Sequence, residues 1–204
     1  MNIQILPRKH CPIGKVFIII FTNVLNMDLI KNDFIEFIKQ RKSIRSFIYQ
    51  KIDKETILNI LECAQWAPSG NNSQPWRVCV VIHPTVKRML SELSKYGGII
   101  EDAYVNLVIF LDLERGYDRV KDIQGIGAFM QNILLGIHAQ EDIGGVWIGE
   151  ILNRKEDVNE IFKFPKEKFE LMGIIAIGHI DDAREKIRAK ERKRRSIDQF
   201  TDWY

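Results

Sequence analysis

The chain has 204 residues, of which 46% are hydrophobic and 28% are charged; this balance excludes an intrinsically disordered chain and suits one globular domain with a substantial core. The net charge of +3 is small, and a basic tail carries much of it, because eight basic and only two acidic residues lie between Arg184 and Arg195. Three cysteines without a Cys-x-x-Cys spacing and four scattered histidines give no sign of a disulfide framework or a metal site, and they favour a reducing, cytoplasmic location.

Residues 1–27 form an N-terminal extension whose status the sequence leaves open. Basic residues precede the apolar run 16–21, which is the order found in signal peptides, but the run is too short to span a bilayer as a helix and no small-residue cleavage site follows it. Translation that begins at Met27, an extension packed on the surface, and export or membrane association all stay open. We expect a single domain over residues 28–204 and no stable membrane association.

The first predicted helix covers residues 28–40, where apolar side chains recur at helical spacing. Asp53 is a good N-cap for a second helix, which Pro68 ends because proline disfavours helical geometry in the residue before it. A buried strand is predicted at residues 78–82, and a third helix from Pro84. The apolar residues expected to face inward from the second and third helices are Ile57, Leu58, Ile60, Leu61, Ala64, Val86, Met89, Leu90 and Leu93.

The second half of the chain predicts a strand at 105–111, a long helix at 118–141 and a last strand at 174–178. Between them, Gly144 and Gly145 are expected to break the chain before residues 146–149. Short strands among long helices, without strict β-α alternation, indicate a sheet covered by helices on both faces. The long helix is apolar on several sides, which predicts a subunit interface.

Two polar segments stand out as candidate binding elements. The first, residues 41–45, offers two guanidinium groups and a hydroxyl, a set suited to gripping a phosphate, although a solvated basic turn after a helix is the alternative. The second, residues 67–76, holds three amides and two hydroxyls between two prolines, ahead of a predicted strand. A capped turn that satisfies its own backbone is the alternative there.

In order and type, these segments resemble the nitroreductase family, whose members carry an Arg-x-Ser-x-Arg-like segment and then a Pro-Ser-x-x-Asn-x-Gln-Pro-Trp loop. The resemblance covers residues 28–196. It implies an α+β fold, a three-layer α/β/α sandwich with a central, mostly antiparallel sheet. It also implies a homodimer with FMN at the interface and NADH or NADPH as the electron donor.

The resemblance further implies which positions contact FMN. The arginines and serine of the first segment would meet the phosphate and ribityl chain, Lys42 would lie near the pyrimidine edge, and Asn72 would come from the partner subunit. Asp142 replaces the family's first glycine in the segment whose backbone passes close to the ring. The implied FMN contacts are Arg41, Lys42, Ser43, Arg45, Pro68, Ser69, Gly70, Asn72, Ile143, Gly144, Gly145, Arg192 and Arg194.

The function implied by the resemblance is ping-pong electron transfer from NAD(P)H to electron-poor small molecules such as nitroaromatics and quinones. No catalytic side chain is expected, because the chemistry resides on the flavin. Two alternatives stay open. One is a specialised member of the superfamily that modifies flavin, or dehalogenates or dehydrogenates a substrate; the other is a non-catalytic protein that binds flavin, or nucleic acid through its basic tail. We expect no nucleic-acid partner.

Overall fold

The computed structural model of the chain describes residues 27–188 and 191–204, with side chains from residue 33 onwards, so the predicted extension at 1–26 lies outside the described residues. The helices are α1 (Met27–Gln40), α2 (Lys54–Gln65), α3 (Pro84–Ser91), α4 (Gly97–Asp102), α5 (Arg119–His138), α6 (Lys155–Phe162) and α7 (Asp182–Arg188). The strands are β1 (Phe47–Ile48), β2 (Trp76–Val81), β3 (Val105–Asp112), β4 (Ile143–Ile148) and β5 (Phe169–Ile180). Short 3-10 turns cover Gly70–Asn72, Glu150–Arg154 and Ile197–Gln199.

The five described strands form one sheet in which all pairings are antiparallel. The twelve-residue β5 lies at its centre and pairs with β3 and β4 on opposite edges, while β2 is the outer neighbour of β3. The two residues of β1 pair with Ile180 and His179, beyond the point where β3 ends. The predicted mostly antiparallel sheet is therefore confirmed.

Alternating burial along β3 shows why the molecule has three layers. Leu107 and Ile109 belong to a core cluster with α2 and α5, whereas Val108 and Phe110 belong to a second cluster with α3, α4 and α6. Because successive side chains of a strand point to opposite faces, β3 is covered by helices on both sides. The predicted α/β/α sandwich is confirmed.

Several local predictions were wrong. Leu58 and Met89, expected to face inward, are 52% and 43% exposed. The strand predicted as buried is β2, whose side chains are mostly half-buried or exposed because the strand lies at the sheet edge. Gly144 and Gly145 do not break the chain but lie inside β4, where they pair with Gly178 and Ile177.

A backbone crossing explains why glycines occupy the interior of the sheet. Ile44 donates its backbone N–H to the carbonyl of Gly145 on β4, at 3.0 Å, and three residues later Phe47 pairs with β5 on the edge away from β4. A Cβ on Gly144 would lie 2.5 Å from Ile44, and a Cβ on Gly178 would lie 2.8 Å from Phe47. The segment after α1 can therefore pass closely over the sheet only because these positions lack side chains.

Candidate functional site

The end of α1 delivers Arg41 into a cleft of about 520 Å³ that we call the arginine cleft. Burial lowers the pKa of Arg41, and the neighbouring charges of Arg192, Arg194 and Arg45 lower it further. None of the described residues that line the cleft is acidic. They are Ile38, Lys39, Arg41, Gln131, Arg192 and Arg194. A half-buried guanidinium among like charges is electrostatically strained, and an anion in the cleft would relieve that strain.

The C-terminal segment closes this cleft through Arg192. Its two terminal nitrogens donate hydrogen bonds to the backbone carbonyls of Arg41 and Lys39, both at 2.7 Å. These carbonyls belong to the last turn of α1 and the residue after it, where the helix offers no further backbone N–H groups to bond them. Arg192 therefore caps α1 as well as lining the cleft, and the basic tail is anchored to the fold at this point.

A second opening, the glycine cleft, adjoins the first through Arg41. It measures about 130 Å³, and Gly144 and Gly145 contribute part of its wall. The residues that line it are Gln40, Arg41, Lys42, Ile44, Leu134, Ile137, His138, Ile143, Gly144, Gly145 and Ile180. Just before this wall, Asp142 adopts the left-handed backbone conformation with φ 58°, a conformation that aspartate tolerates better than most residues. Asp142 can therefore take the backbone position that a glycine holds in the family.

The predicted phosphate segment is divided between two places. Arg41 and Lys42 line the glycine cleft, but the side chain of Arg45 lines another cleft, with Lys95 and Arg188 among its walls. The backbone N–H of Arg45 donates to Glu185 Oε1 at 2.9 Å, and its Nη1 donates weakly to the carbonyl of Ser43 at 3.4 Å. The side chains of Arg41 and Arg45 thus line different clefts, and the expectation that both meet one phosphate stays a prediction.

The loop from Pro68 to Gln74 is a turn tied together by its own side chains. Ser69 Oγ accepts the backbone N–H of Gln74 at 3.0 Å, and Asn72 Oδ1 accepts from Gln74 Nε2 at 3.1 Å. Asn71, Asn72 and Gln74 all have positive φ, between 49° and 53°. Gly70 lies against Tyr117, so closely that a Cβ there would overlap the ring. Side chains and packing thus hold the loop in one conformation.

The loop contacts the first half of α5, whereas the arginine and glycine clefts are lined by residues of its second half. The carbonyl of Pro68 would lie 3.3 Å from a Cβ on Gly125, in the first half of the helix. The clefts are lined by Gln131 and His138, in the second half. With a rise of 1.5 Å per residue, Gly125 lies about 9 Å from the nearer of these and about 20 Å from the farther along the helix axis.

His138 is a site residue that the sequence did not reveal, since the four histidines are scattered along the chain and gave no sign of a site. Its ring packs against that of Phe37, with centroids 4.8 Å apart and the planes tilted by 34°, and it is hydrogen bonded to the Phe37 backbone. Because His138 follows Gln131 by seven residues, or about two helical turns, the sequence could have placed both on one face of the long helix. Asn132, by contrast, donates to the carbonyl of Cys63 at 3.3 Å and joins α5 to α2, as expected for a structural amide.

Metal sites and membrane-spanning helices are absent from the described ranges of the chain. No group of three or more metal-ligating side chains that could hold an ion occurs there. In the same ranges, no helix combines the length and the apolar character needed to cross a membrane.

Comparison with known proteins decides the family. The model of the nitroreductase family matches residues 38–98 and 86–179. The chain belongs to the nitroreductase family. A relative from Methanothermobacter thermautotrophicus, assigned as an NADH dehydrogenase/NAD(P)H nitroreductase, is 30% identical over 140 residues, which cover 67% of this chain and 72% of that protein.

Two further nitroreductase-family comparisons concern FMN. The FMN reductase (NAD(P)H) of Bacillus subtilis is 29% identical over 168 residues, covering 74% of this chain and 67% of that protein. A crystal structure from Desulfovibrio desulfuricans, of a protein assigned as a nitroreductase in complex with FMN, superposes with a TM-score of 0.75 at 32% identity. It covers 83% of this chain and 96% of that one. The resemblance in the two motifs is thus confirmed at the level of family and fold.

Proposed function

We propose that this nitroreductase-family protein is an FMN-dependent oxidoreductase that passes electrons from NADH or NADPH to electron-poor small molecules such as nitroaromatics and quinones. The observation that carries the proposal is the junction at Arg41, where a cationic cleft lined by no described acidic residue meets a cleft walled by Gly144 and Gly145. This set of residues fits a molecule with a dianionic group at one end and a flat ring at the other. The relatives from B. subtilis and D. desulfuricans support FMN as that molecule.

Different residues would bind the phosphate and the ring of FMN. Arg41 and Arg194 would hold the phosphate by charge-assisted hydrogen bonds, and Arg192 would assist them while it caps α1. Gly144 and Gly145 would form part of the wall beside the ring, while the space that their missing side chains leave is filled by Ile44 and Ile137. When bound, FMN supplies the ring that exchanges hydride with the nicotinamide and the acceptor. The chain itself orients that ring and needs no acid–base side chain.

We infer that the site is completed by a second copy of the chain. One stripe of exposed and half-buried residues on α5 carries no charge over four turns, and the exposed Arg119 and Lys121 lie beside its first turn. The residues of the stripe are Val120, Gln124, Gly127, Gln131 and Leu135. In a twofold dimer, two such helices packed antiparallel would bring the first half of one beside the second half of the other. The Pro68–Gln74 loop of one protomer would then approach the arginine and glycine clefts of its partner, with Asn72 at the front.

A purified sample tests the proposal directly. We expect a yellow protein with flavin absorbance, or a colourless one that becomes yellow with added FMN, and oxidation of NADH or NADPH when nitrofurazone or menadione is present. Initial rates at several acceptor concentrations should give the parallel double-reciprocal lines of a ping-pong reaction. A protein that refuses FMN would overturn the proposal. Bound FMN without turnover of either acceptor would favour a specialised member of the superfamily instead.

We propose no nucleic-acid partner: two of the eight basic residues of the tail already bind within the chain, Arg184 to Asp181 and Asp102 and Arg192 to the end of α1. We propose a cytoplasmic location, in keeping with an odd number of cysteines without a paired spacing.

A further inference from the structure

The last turn of α1 is held by two side chains from outside the helix. Arg192 binds the carbonyls of Lys39 and Arg41. His138 from α5 is hydrogen bonded to the Phe37 backbone, and its ring lies tilted against the Phe37 ring. Arg41 itself donates its backbone N–H to the Phe37 carbonyl at 3.3 Å. Arg41 and His138 are therefore both bonded to the backbone of Phe37. A shift of the imidazole would move that backbone and change the direction in which Arg41 leaves the helix.

We propose that His138 is a positioning residue of the phosphate site. It holds the end of α1 so that Arg41 faces the cleft, and the imidazole of His138 takes up a proton when a phosphomonoester dianion binds in that cleft. This inference rests on the proposed function, because it concerns the same cleft. Nothing in the resemblance assigned His138 a role; the assignment comes from its place in the glycine cleft beside Arg41.

The charges around His138 favour the neutral imidazole until an anion enters. Burial lowers its pKa most, Arg41 and Arg192 lower it further, and the hydrogen bond to Phe37 acts in the opposite direction. Lys42 lines the same cleft, and Lys39 and Arg194 line the neighbouring one. Five acidic side chains lie on the described elements packed around the imidazole. Four of them, Asp33, Glu36, Glu141 and Asp142, are exposed, and the fifth, Asp181, is bound to Arg184.

A bound dianion would cancel the fields of the two arginines and raise the pKa of His138. Between the free and bound pKa values the protein must then take up a proton on binding, so low pH favours the complex and high pH removes this contribution. A phosphomonoester has its own second pKa near 6, which acts in the opposite sense. That effect is common to all variants, and a ratio of dissociation constants removes it.

The experiment compares His138→Gln, His138→Leu and the control His179→Gln with the wild type. Glutamine keeps an N–H donor for the Phe37 carbonyl but cannot be protonated, whereas leucine removes both properties. His179 is a suitable control because its Nε2 also lies near a backbone carbonyl, that of Lys51 at 3.4 Å, and it lines neither cleft. FMN dissociation constants are measured by flavin fluorescence from pH 5.5 to 8.5, and the His138 titration by histidine NMR with and without FMN or inorganic phosphate.

We expect His138→Leu to bind FMN about fivefold more weakly at pH 8, the effect of one hydrogen bond, and His138→Gln to match the wild type there. Towards pH 5.5 the ratio of the His138→Gln and wild-type dissociation constants should rise by about tenfold, with a matching rise in the His138 pKa by about one unit when ligand binds. His179→Gln should follow the wild type throughout.

Failure of this inference and failure of the proposed function give different results. A wild type that binds FMN, with equal affinity in both His138 variants at every pH, would overturn the role of His138 and leave the proposed function standing. A wild type that binds no FMN would overturn the proposed function. In that case the inference would stand only if inorganic phosphate still raised the His138 pKa, and it would fall if phosphate left the titration unchanged.

Discussion

At the scale of single residues, the half-buried Arg41 is the side chain on which both clefts converge. Its own surroundings destabilise its charge, so it gains more from a phosphate than a solvated arginine would. We predict that Arg41→Ala weakens FMN binding by roughly 10- to 100-fold, since a hydrogen bond to a charged group contributes about 1.5–3 kcal/mol. Fluorescence titration of the apoprotein with FMN measures the change.

The control for this substitution is Arg88→Ala, because Arg88 lies on the exposed side of α3 in a surface pair with Glu92. It should bind FMN like the wild type. If Arg41→Ala also retained full affinity, with Arg88→Ala unchanged, the phosphate could not lie in the arginine cleft.

At the scale of elements, the crossing over β4 and β5 leaves no room for a side chain at position 144. A methyl group there would lie 2.5–2.8 Å from three carbons of Ile44. We predict that Gly144→Ala lowers the free energy of unfolding by about 1–3 kcal/mol, the cost of overpacking a tight site, and weakens FMN binding by displacing residues 41–45. Urea denaturation and FMN titration check the two effects.

Gly98→Ala serves as the matched control, because a Cβ on Gly98 meets nothing within 4 Å and the residue lies in a helix. It should be neutral, or stabilise by about 0.5–1 kcal/mol. Equal stability of the two variants would show that the crossing is loose enough to relax, which contradicts the role assigned to the glycine.

The start of α5 is joined to β5 by an ion pair that gives stability a defined pH dependence. Arg119 binds Glu170 through two nitrogens, at 2.8 and 3.0 Å. This hydrogen bonding lowers the pKa of the Glu170 carboxyl below its usual 4.5. Because the folded pKa is depressed, the contribution is present above the unfolded value and disappears as the pH falls through the folded one.

Glu170→Gln should therefore be less stable than the wild type at pH 7, by up to about 1 kcal/mol because Arg119 is largely exposed. The difference should vanish below the folded pKa, where the wild-type carboxyl is also neutral. Urea denaturation over pH 3 to 7 gives both values, with the exposed Glu92→Gln as the control. A difference that persisted unchanged in acid would assign the effect to packing instead of charge.

The elements that depend on local sequence were predicted well, and those that depend on distant contacts were not. Asp53 caps α2 as expected, because its carboxylate bonds only three residues ahead, to Thr56 at 2.7 Å. The glycines of β4 were interpreted as a chain break, since nothing nearby in sequence reveals that Ile44 crosses over them. The contacts of Arg45 were not predicted for the same reason, because its backbone N–H bonds to Glu185, 140 residues away.

At the scale of the whole molecule, one chain does not bring all predicted site residues together. The arginine cleft and the amide loop meet α5 at Gln131 and near Gly125, about 9 Å apart along the helix axis. The loop is tied together by its own side chains and presents Asn72 to solvent. In the described part of the chain, the side-chain amide of Asn72 accepts a hydrogen bond but donates none. The Asn72 amide N–H group is thus held in place and could donate a hydrogen bond to a cofactor bound by a second protomer.

Mixing two defective variants, Arg41→Ala and Asn72→Ala, tests this arrangement at an FMN concentration that fills wild-type sites but leaves those of Arg41→Ala largely empty. In a dimer whose sites each combine Arg41 of one protomer with Asn72 of the other, a heterodimer of Arg41→Ala and Asn72→Ala carries both substitutions in one site and none in the other. An equimolar mixture of the two variants, unfolded and refolded together, should therefore recover about a quarter of the wild-type turnover, since half of randomly assembled twofold dimers are mixed and each has one intact site. NADH or NADPH oxidation with menadione measures the recovery. If both residues served a site within one chain, each site would keep one substitution and mixing would restore nothing, even though the refolded wild type regained its activity.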